Sequence, residues 1–226
     1  MARPLRFVLP GLPHHITQRG NYRQTVFFED KDYLFYLRLL REYSRHFGVA
    51  VQAYCLMPNH VHLILSPPKT NSLGRLLQCL NSDYARALHL QLGRVGHLWQ
   101  SRYYSTPMDE SHFWHAMVYV EQNPTRAQLV ERCLDRPWSS ANSHLRGAED
   151  GLLDMNELRQ QYTPDSWKNC LELGLQDAML LERIRESTGK GWPLGSANFL
   201  DNLERDLGRS VRRGVPGRRA KAAFGI

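Results

Sequence analysis

From Asp30 onward the apolar positions fall at helical spacing. Tyr33, Tyr36, Leu37, Leu40, Tyr43 and Phe47 form one stripe, with Gly48 just beyond it. The stripe predicts a helix capped at Asp30 or Asp32 and stopped by Gly48. The period then shortens to two. In "VAVQAYCLM" alternation puts Val49, Val51, Ala53, Cys55 and Met57 on one face of a strand. Pro58-Asn59 is a turn signal and "HVHLILS" is a second strand, so residues 49–66 read as a β-hairpin. An earlier short strand is expected in "HHITQRG", around Ile16 and ending at Gly20.

A second helix is expected from a cap at Asn71 or Ser72. Its stripe is Leu73, Leu76, Leu77, Leu80, Tyr84 and Leu88. "HLWQSRYYSTPM" reads as strand, closed by Pro107. A third helix, capped by Ser111, should end near Asn123-Pro124, because the residue before proline is biased out of the α region. Strand, helix, two strands, helix, strand, helix implies an α+β fold, with a ferredoxin-like antiparallel sheet covered by helices. After "PWSSANSHLRGAEDG" the composition changes. Residues 155–187 look helical, "TGKGWPLGS" is rich in glycine and proline, and a short helix is expected around "ANFLDNLERDLG". We divide the chain into a catalytic domain, residues 1–146, and a mainly helical, basic C-terminal extension, residues 147–226.

Composition changes this picture in one respect. The net charge is +7, but residues 183–226 hold ten Lys/Arg against four Asp/Glu, which leaves about +1 for the rest. Concentrated charge of that sign favours polyanions. The apolar fraction of 42% is enough for a sizeable core. The four cysteines lack metal-like spacing and read as free thiols of a reducing cytoplasm. Neither a signal peptide nor an 18-residue apolar segment is evident, so a soluble cytoplasmic, nucleoid-associated protein is expected, with no membrane partner.

Chemistry enters with His60 and His62. Residues i and i+2 of a strand project together, which suits two imidazole ligands of one divalent ion. The same spacing also fits two ordinary polar residues on a solvated strand face. The third helix adds a second element. On a wheel centred on Tyr119, His112, His115, Gln122 and Asn123 fall on the tyrosine's side, and Phe113, Trp114, Met117, Val118 and Val120 fall opposite. Two metal-binding histidines and a tyrosine hydroxyl point to attack on a phosphodiester. Asn123, one turn on, is a potential further ligand, and His115 a candidate helper.

"HITQRGNYRQTVFF", "AYCLMPNHVHLILSP", "GHLWQSRYYS" and "YVEQNPTRAQLV" together resemble the single-tyrosine HUH transposases. The nearest likeness is to the REP-associated tyrosine transposase branch, over roughly residues 5–145. The resemblance implies that His60 and His62, with Val61 between them, bind Mg²⁺ or Mn²⁺. It implies that Tyr119 attacks single-stranded DNA to leave a 5′-phosphotyrosine and a free 3′-OH. Asn123 stands where related enzymes carry their third ligand. The implied substrate is hairpin-forming repeats. Related minimal transposases exchange the tyrosine helix within a dimer, so monomer and homodimer both stay open.

Cations and aromatics mark the expected DNA contacts. Arg19, Asn21 and Arg23 lie in one N-terminal loop, and Arg102 lies in "WQSRYY". Arg212, Arg213, Arg218 and Arg219 lie in the basic tail, a candidate phosphate anchor. Two other readings compete: a non-catalytic DNA- or RNA-binding protein on the same scaffold, and a metal hydrolase of small phosphoesters. The second leaves the basic tail unexplained.

Overall fold

The computed structural model describes residues 7–147 and 151–212. β1 (His14–Arg19) leads to α1 (Asp30–Phe47). β2 (Ala50–Met57) and β3 (His60–Ser66) form the hairpin, followed by α2 (Ser72–Leu92), β4 (Tyr104–Pro107) and α3 (Glu110–Glu121). The sheet order is β2-β3-β1-β4 with every pair antiparallel. β3 therefore lies between β1 and β2, which α1 connects. This is the expected ferredoxin-like α+β arrangement.

Details at the ends of elements differ. Glu29 caps α1, and Asp32 reaches back to accept from the backbone N–H of Phe28 and Glu29 at 2.8 and 3.0 Å. That reciprocal box satisfies the donors that a helix start leaves open. Asp109, not Ser111, caps α3 by accepting from the His112 N–H at 3.0 Å. β4 has only four residues. Upstream of it the chain at 98–103 is irregular, and the regular pairing of β4 with β1 stops at Thr17–Tyr104. A Gly20–Trp99 bridge and the Gln100 N–H bond to the Arg19 carbonyl at 2.9 Å hold it there. Gly20 is not a flexible hinge. A Cβ there would lie 2.3 Å from the Gln24 carbonyl oxygen.

The largest departure is on β2. The β2–β3 register slips between Val51 and Ala53, so Gln52 is an extra residue. A bulge reverses the alternation beyond it. Val49, Val51, Tyr54 and Leu56 join the core beneath α1 and α2, whereas Ala53, Cys55 and Met57 face α3. Without the bulge all five residues from Val49 to Met57 would have crowded one face.

The chain continues as α4 (Asn123–Arg126), α5 (Ala141–Arg146), α6 (Asn156–Gln161), α7 (Pro164–Leu173), α8 (Ala178–Lys190) and α9 (Ala197–Leu207). Of these, α5, α6, α7 and α8 pack on the second face of the sheet. Trp167, Leu171, Ile184 and Leu194 are buried in one cluster with Ala53, Ile64, Met117 and Val120. At its centre Glu121 is fully buried. It accepts from Ser140 Oγ and, at 3.0 Å, from Trp167 Nε1, and His144 Nδ1 stands 2.6 Å from its Oε1. One carboxylate thus ties α3 to α5 and α7, which makes its desolvation tolerable. Among the described residues no helix is long and apolar enough to cross a membrane. All four cysteines are free.

Candidate active site

β3 presents Val61, Leu63 and Leu65 to the α1/α2 core and turns His60, His62 and Ile64 to the other face. β1 lies beside it in a register that sets Arg19 opposite His60 and Thr17 opposite His62. On the same face β1 contributes His15, a diagonal neighbour of His62. His15 Nε2 is 2.9 Å from His62 Nδ1, and the His15 Nδ1 is 3.0 Å from Thr188 Oγ1 on α8. His60 Nδ1 is 2.6 Å from Asn59 Oδ1. Both Nδ1 atoms are therefore engaged, and among the described residues no hydrogen bond occupies the Nε2 atoms of His60 and His62. The two rings lie 4.9 Å apart between centroids.

Burial dominates the electrostatics. It lowers His15 to about 3, helped by the Arg126 charge, and His60 to about 4, helped by Arg19. Burial also holds His62 well below its ordinary value, with His60, His15, Arg126 and Arg19 adding to the effect. Neutral imidazoles are the state in which histidine ligates metals. A pair that shares one hydrogen bond has one donor. If His62 Nδ1–H donates to His15, His62 keeps its Nε2 lone pair for a ligand. His15 then carries its own proton on Nδ1 and donates it to Thr188.

Tyr119 comes from α3 to the same place. Its ring is 6.0 Å from His62 and 5.8 Å from His15, edge-on to both. The Arg126 guanidinium lies 3.9 Å above the tyrosine ring. Arg126 Nη2 donates to the Tyr119 carbonyl oxygen and to Asn123 Oδ1, each at 2.6 Å. Asn123 is buried, its Oδ1 is held by Arg126, and its Nδ2 has no partner. Arg126 Nη1 is likewise buried and unpartnered. His115 stands elsewhere, half-buried with its ring 6.3 Å from His112, whose Nδ1 is bound to Asp109 at 2.6 Å. A helical wheel gives directions around one helix but not what packs opposite. The imidazole beside Tyr119 therefore comes from a strand. Nor is the stripe around Tyr119 solvated. His112, Tyr119 and Asn123 are all buried.

The two Nε2 atoms fit a divalent ion as imidazole donors. Among the described residues no three His, Cys, Asp or Glu side chains gather in a metal-binding group. The remaining ligands would have to be oxygens from water, from DNA, or from Asn123 once Arg126 released it.

Arg19 is exposed at the His60 end of the sheet. The turn over 21–23 abuts the β-hairpin there. Asn59 Nδ2 donates to the Arg23 carbonyl at 3.1 Å, and the Gly20 N–H donates to the Asn59 carbonyl at 2.9 Å. Tyr22 and Arg23 have left-handed backbones, φ 49° and 59°, and Tyr22 is 93% exposed. Arg102 is exposed on the irregular 98–103 segment. Arg212 is partly exposed on the described part of the tail. Its guanidinium pairs with Glu204 at 2.6 Å and Asp201 at 2.5 Å on α9. Arg213, Arg218 and Arg219 lie outside the described residues. Sequence reasoning missed His15, Arg126 and Thr188. The His14-His15 doublet on a predicted strand was the available signal for the first.

The family model described as "Transposase IS200 like" matches residues 9–123. Among solved structures, the chain is similar to a REP-associated tyrosine transposase bound to a REP hairpin. The TM-score is 0.57 at 17% identity, over 68% of this chain and 92% of that one. A candidate transposase from Deinococcus radiodurans R1 is 21% identical with a TM-score of 0.38, over 54% of this chain and 97% of that one. No curated protein matches the chain.

Proposed function

The chain belongs to the IS200-like transposase family, and from that premise we propose that it is a metal-dependent single-strand DNA endonuclease and strand transferase of the REP-associated type. The observation that carries this reading is the meeting of His60, His62 and Tyr119 on one sheet face, with 6.0 Å between the Tyr119 and His62 rings. Binding alone needs no such convergence.

His60 and His62 would hold Mg²⁺ or Mn²⁺ through Nε2. The ion would supply Lewis-acid polarisation of a phosphate oxygen. Tyr119 Oη forms the new bond to phosphorus and the bond to the 3′-oxygen breaks. In the net change the phenol proton ends on that oxygen, giving a 5′-phosphotyrosine and a 3′-OH. Phenol is a poor nucleophile at neutral pH, with an unperturbed pKa of about 10. The Arg126 guanidinium, 3.9 Å over the ring, supplies a positive charge beside the place where the phosphate would lie. The covalent link keeps the bond energy, so a 3′-OH can rejoin without a nucleotide cofactor. That suits strand transfer better than hydrolysis.

Arg19, Asn21, Tyr22 and Arg23 lie where DNA would approach His60. A strained, exposed tyrosine is suited to stack on an unpaired base. Hairpin-forming repeats are the substrate we favour, in keeping with the hairpin bound by the structurally similar transposase. The test is a denaturing gel of protein with a single-stranded hairpin oligonucleotide and Mn²⁺. A covalent adduct is expected from wild type and not after EDTA treatment. Tight binding without any adduct would favour the non-catalytic reading.

A further inference from the structure

α8 carries two buried residues, Ile184 and Thr188, one turn apart on the same side. Ile184 lies among the apolar side chains that cover the second sheet face. Thr188 is 6% exposed, and a hydroxyl so buried needs a partner. Its Oγ1 stands 3.0 Å from Nδ1 of the buried His15. The chain around Thr188 is fastened there. Beside it, the Ser187 carbonyl accepts from Thr106 Oγ1 on β4 at 3.0 Å. Beyond the helix, the Leu194 N–H donates to the Pro107 carbonyl at 2.9 Å, and the Ser196 N–H donates to Asp109 Oδ2 at 2.7 Å. Asp109 caps α3, the helix of Tyr119. The segment 184–196 is thus tied to the strand and the helix that frame the site.

From Thr188 a line of hydrogen bonds runs to a candidate ligand. Thr188 Oγ1 meets His15 Nδ1 at 3.0 Å, and His15 Nε2 meets His62 Nδ1 at 2.9 Å. A neutral histidine that ligates through Nε2 carries its proton on Nδ1. For His62 that proton goes to His15 Nε2, so the His15 proton has to sit on Nδ1. The acceptor facing it is Thr188 Oγ1. The opposite order of protons is equally well bonded. The hydroxyl then donates to His15, His15 donates to His62, and His62 Nε2 holds a proton in place of a lone pair. A hydroxyl serves both orders, because it donates or accepts. An aliphatic side chain at 188 would serve neither. It would penalise the ligating order more, since that order buries an N–H without an acceptor.

We propose that Thr188 is a positioning residue of the metal site: by accepting the His15 Nδ1 proton, it holds His62 in the tautomer that ligates through Nε2. The assignment rests on the reading of His60 and His62 as metal ligands. Thr188 acts through His15 rather than on the ion or the phosphate. It also gives the helices after residue 147 a part in the chemistry. A chain ending before α8 would keep His60, His62 and Tyr119 and lack the acceptor that sets His62.

The test titrates the whole chain with Mn²⁺ and reads the free ion by electron paramagnetic resonance. Thr188→Val, close to threonine in volume, should raise the Mn²⁺ Kd about tenfold, the low end for outer partners of a ligating histidine. Thr188→Ser keeps a hydroxyl and should return most of the affinity. A packing role alone would rank the two the other way, since serine leaves the larger gap. Nitrogen-15 spectra of histidine-labelled protein supply a second readout, at an Mg²⁺ concentration that just saturates the wild type. His15 should carry its proton on Nδ1 in wild type and Thr188→Ser, and on Nε2 in Thr188→Val. If Thr188→Val does not fold, the wild-type spectrum decides. Thr188→Val with the wild-type Kd, Thr188→Ser as weak as Thr188→Val, or wild-type His15 protonated on Nε2 would overturn the role of Thr188 and leave the metal reading standing. Wild type that takes up no Mn²⁺ would overturn both.

Discussion

Along β3, Val61, Leu63 and Leu65 meet α1 and α2, while His60, His62 and Ile64 meet α3. The first face of β3 is apolar and buried. Ile16, Val61, Leu63 and Leu65 are completely buried there among Tyr36, Leu40, Leu73, Leu76 and Leu80. The second face is also buried, but it spends part of its area on three imidazoles, a phenol and a guanidinium. Close packing on one side holds the strand rigid, and polar groups on the other inherit that rigidity. The comparison teaches that the same alternation separates stability from chemistry at single-residue resolution.

The widest separation is expected from adjacent substitutions. Leu63→Ala should cost about 2–5 kcal/mol of stability, with activity per folded molecule kept. His62→Ala should leave stability within about 1–3 kcal/mol and lower adduct formation about a thousandfold or more. Urea melts paired with single-turnover assays measure both. Equal loss of stability in the two variants would break the division between the faces.

His15 sharpens the comparison, because it is on the same face as His60 and His62 and bonds to His62. His15→Leu should weaken Mn²⁺ binding about 10–100-fold, read from free Mn²⁺ by electron paramagnetic resonance. His15→Gln, which retains a hydrogen-bonding group toward His62, should recover part of the loss. An unchanged affinity in His15→Leu would show that His62 needs no positioning partner.

A smaller effect appears in the pH dependence of folding. Burial holds His14 and His60 near 4 and His15 near 3, against about 6.5 in the unfolded chain. As pH falls below 6.5 the unfolded chain takes up protons that the folded chain refuses. The stability is therefore complete above pH 6.5 and declines as the pH drops toward 4. Each histidine contributes a slope of about 1.4 kcal/mol per pH unit within that window. Urea titrations at pH 6.5, 5.5 and 4.5 should show the slope reduced by about that amount in His15→Gln. An identical slope would mean that His15 protonates freely in the folded protein.

The apolar face was legible in the chain, since the stripes of α1 and α2 and the alternation of β3 depend on near neighbours alone. His60, His62 and Tyr119 were legible as candidates, by strand parity and by family resemblance. What brings His15 to His62 is the pairing register of β1 with β3, 47 residues apart, which local periodicity does not encode. The same holds for Thr188, which reaches His15 across 173 residues, and for Glu121, whose partners come from α5 and α7. The Gln52 bulge was hidden for another reason. Unbroken alternation from Val49 to Met57 looks like an ideal strand, and only packing on both faces of the sheet reveals the extra residue. Arg126 was obscured by the helix break at Gln122, past which wheel angles no longer apply.

The most direct measurement of the central claim uses one hairpin oligonucleotide labelled at either end, incubated with Mn²⁺ and resolved on a denaturing gel. With wild type, the 3′-end label should shift into a protein adduct while the 5′-end label appears only on a shorter strand ending in 3′-OH. With Tyr119→Phe, neither should happen, although the oligonucleotide is still bound. An adduct of wild-type yield in Tyr119→Phe, or one that carries the 5′-end label, would contradict Tyr119 as the nucleophile and the 5′-phosphotyrosine as its product.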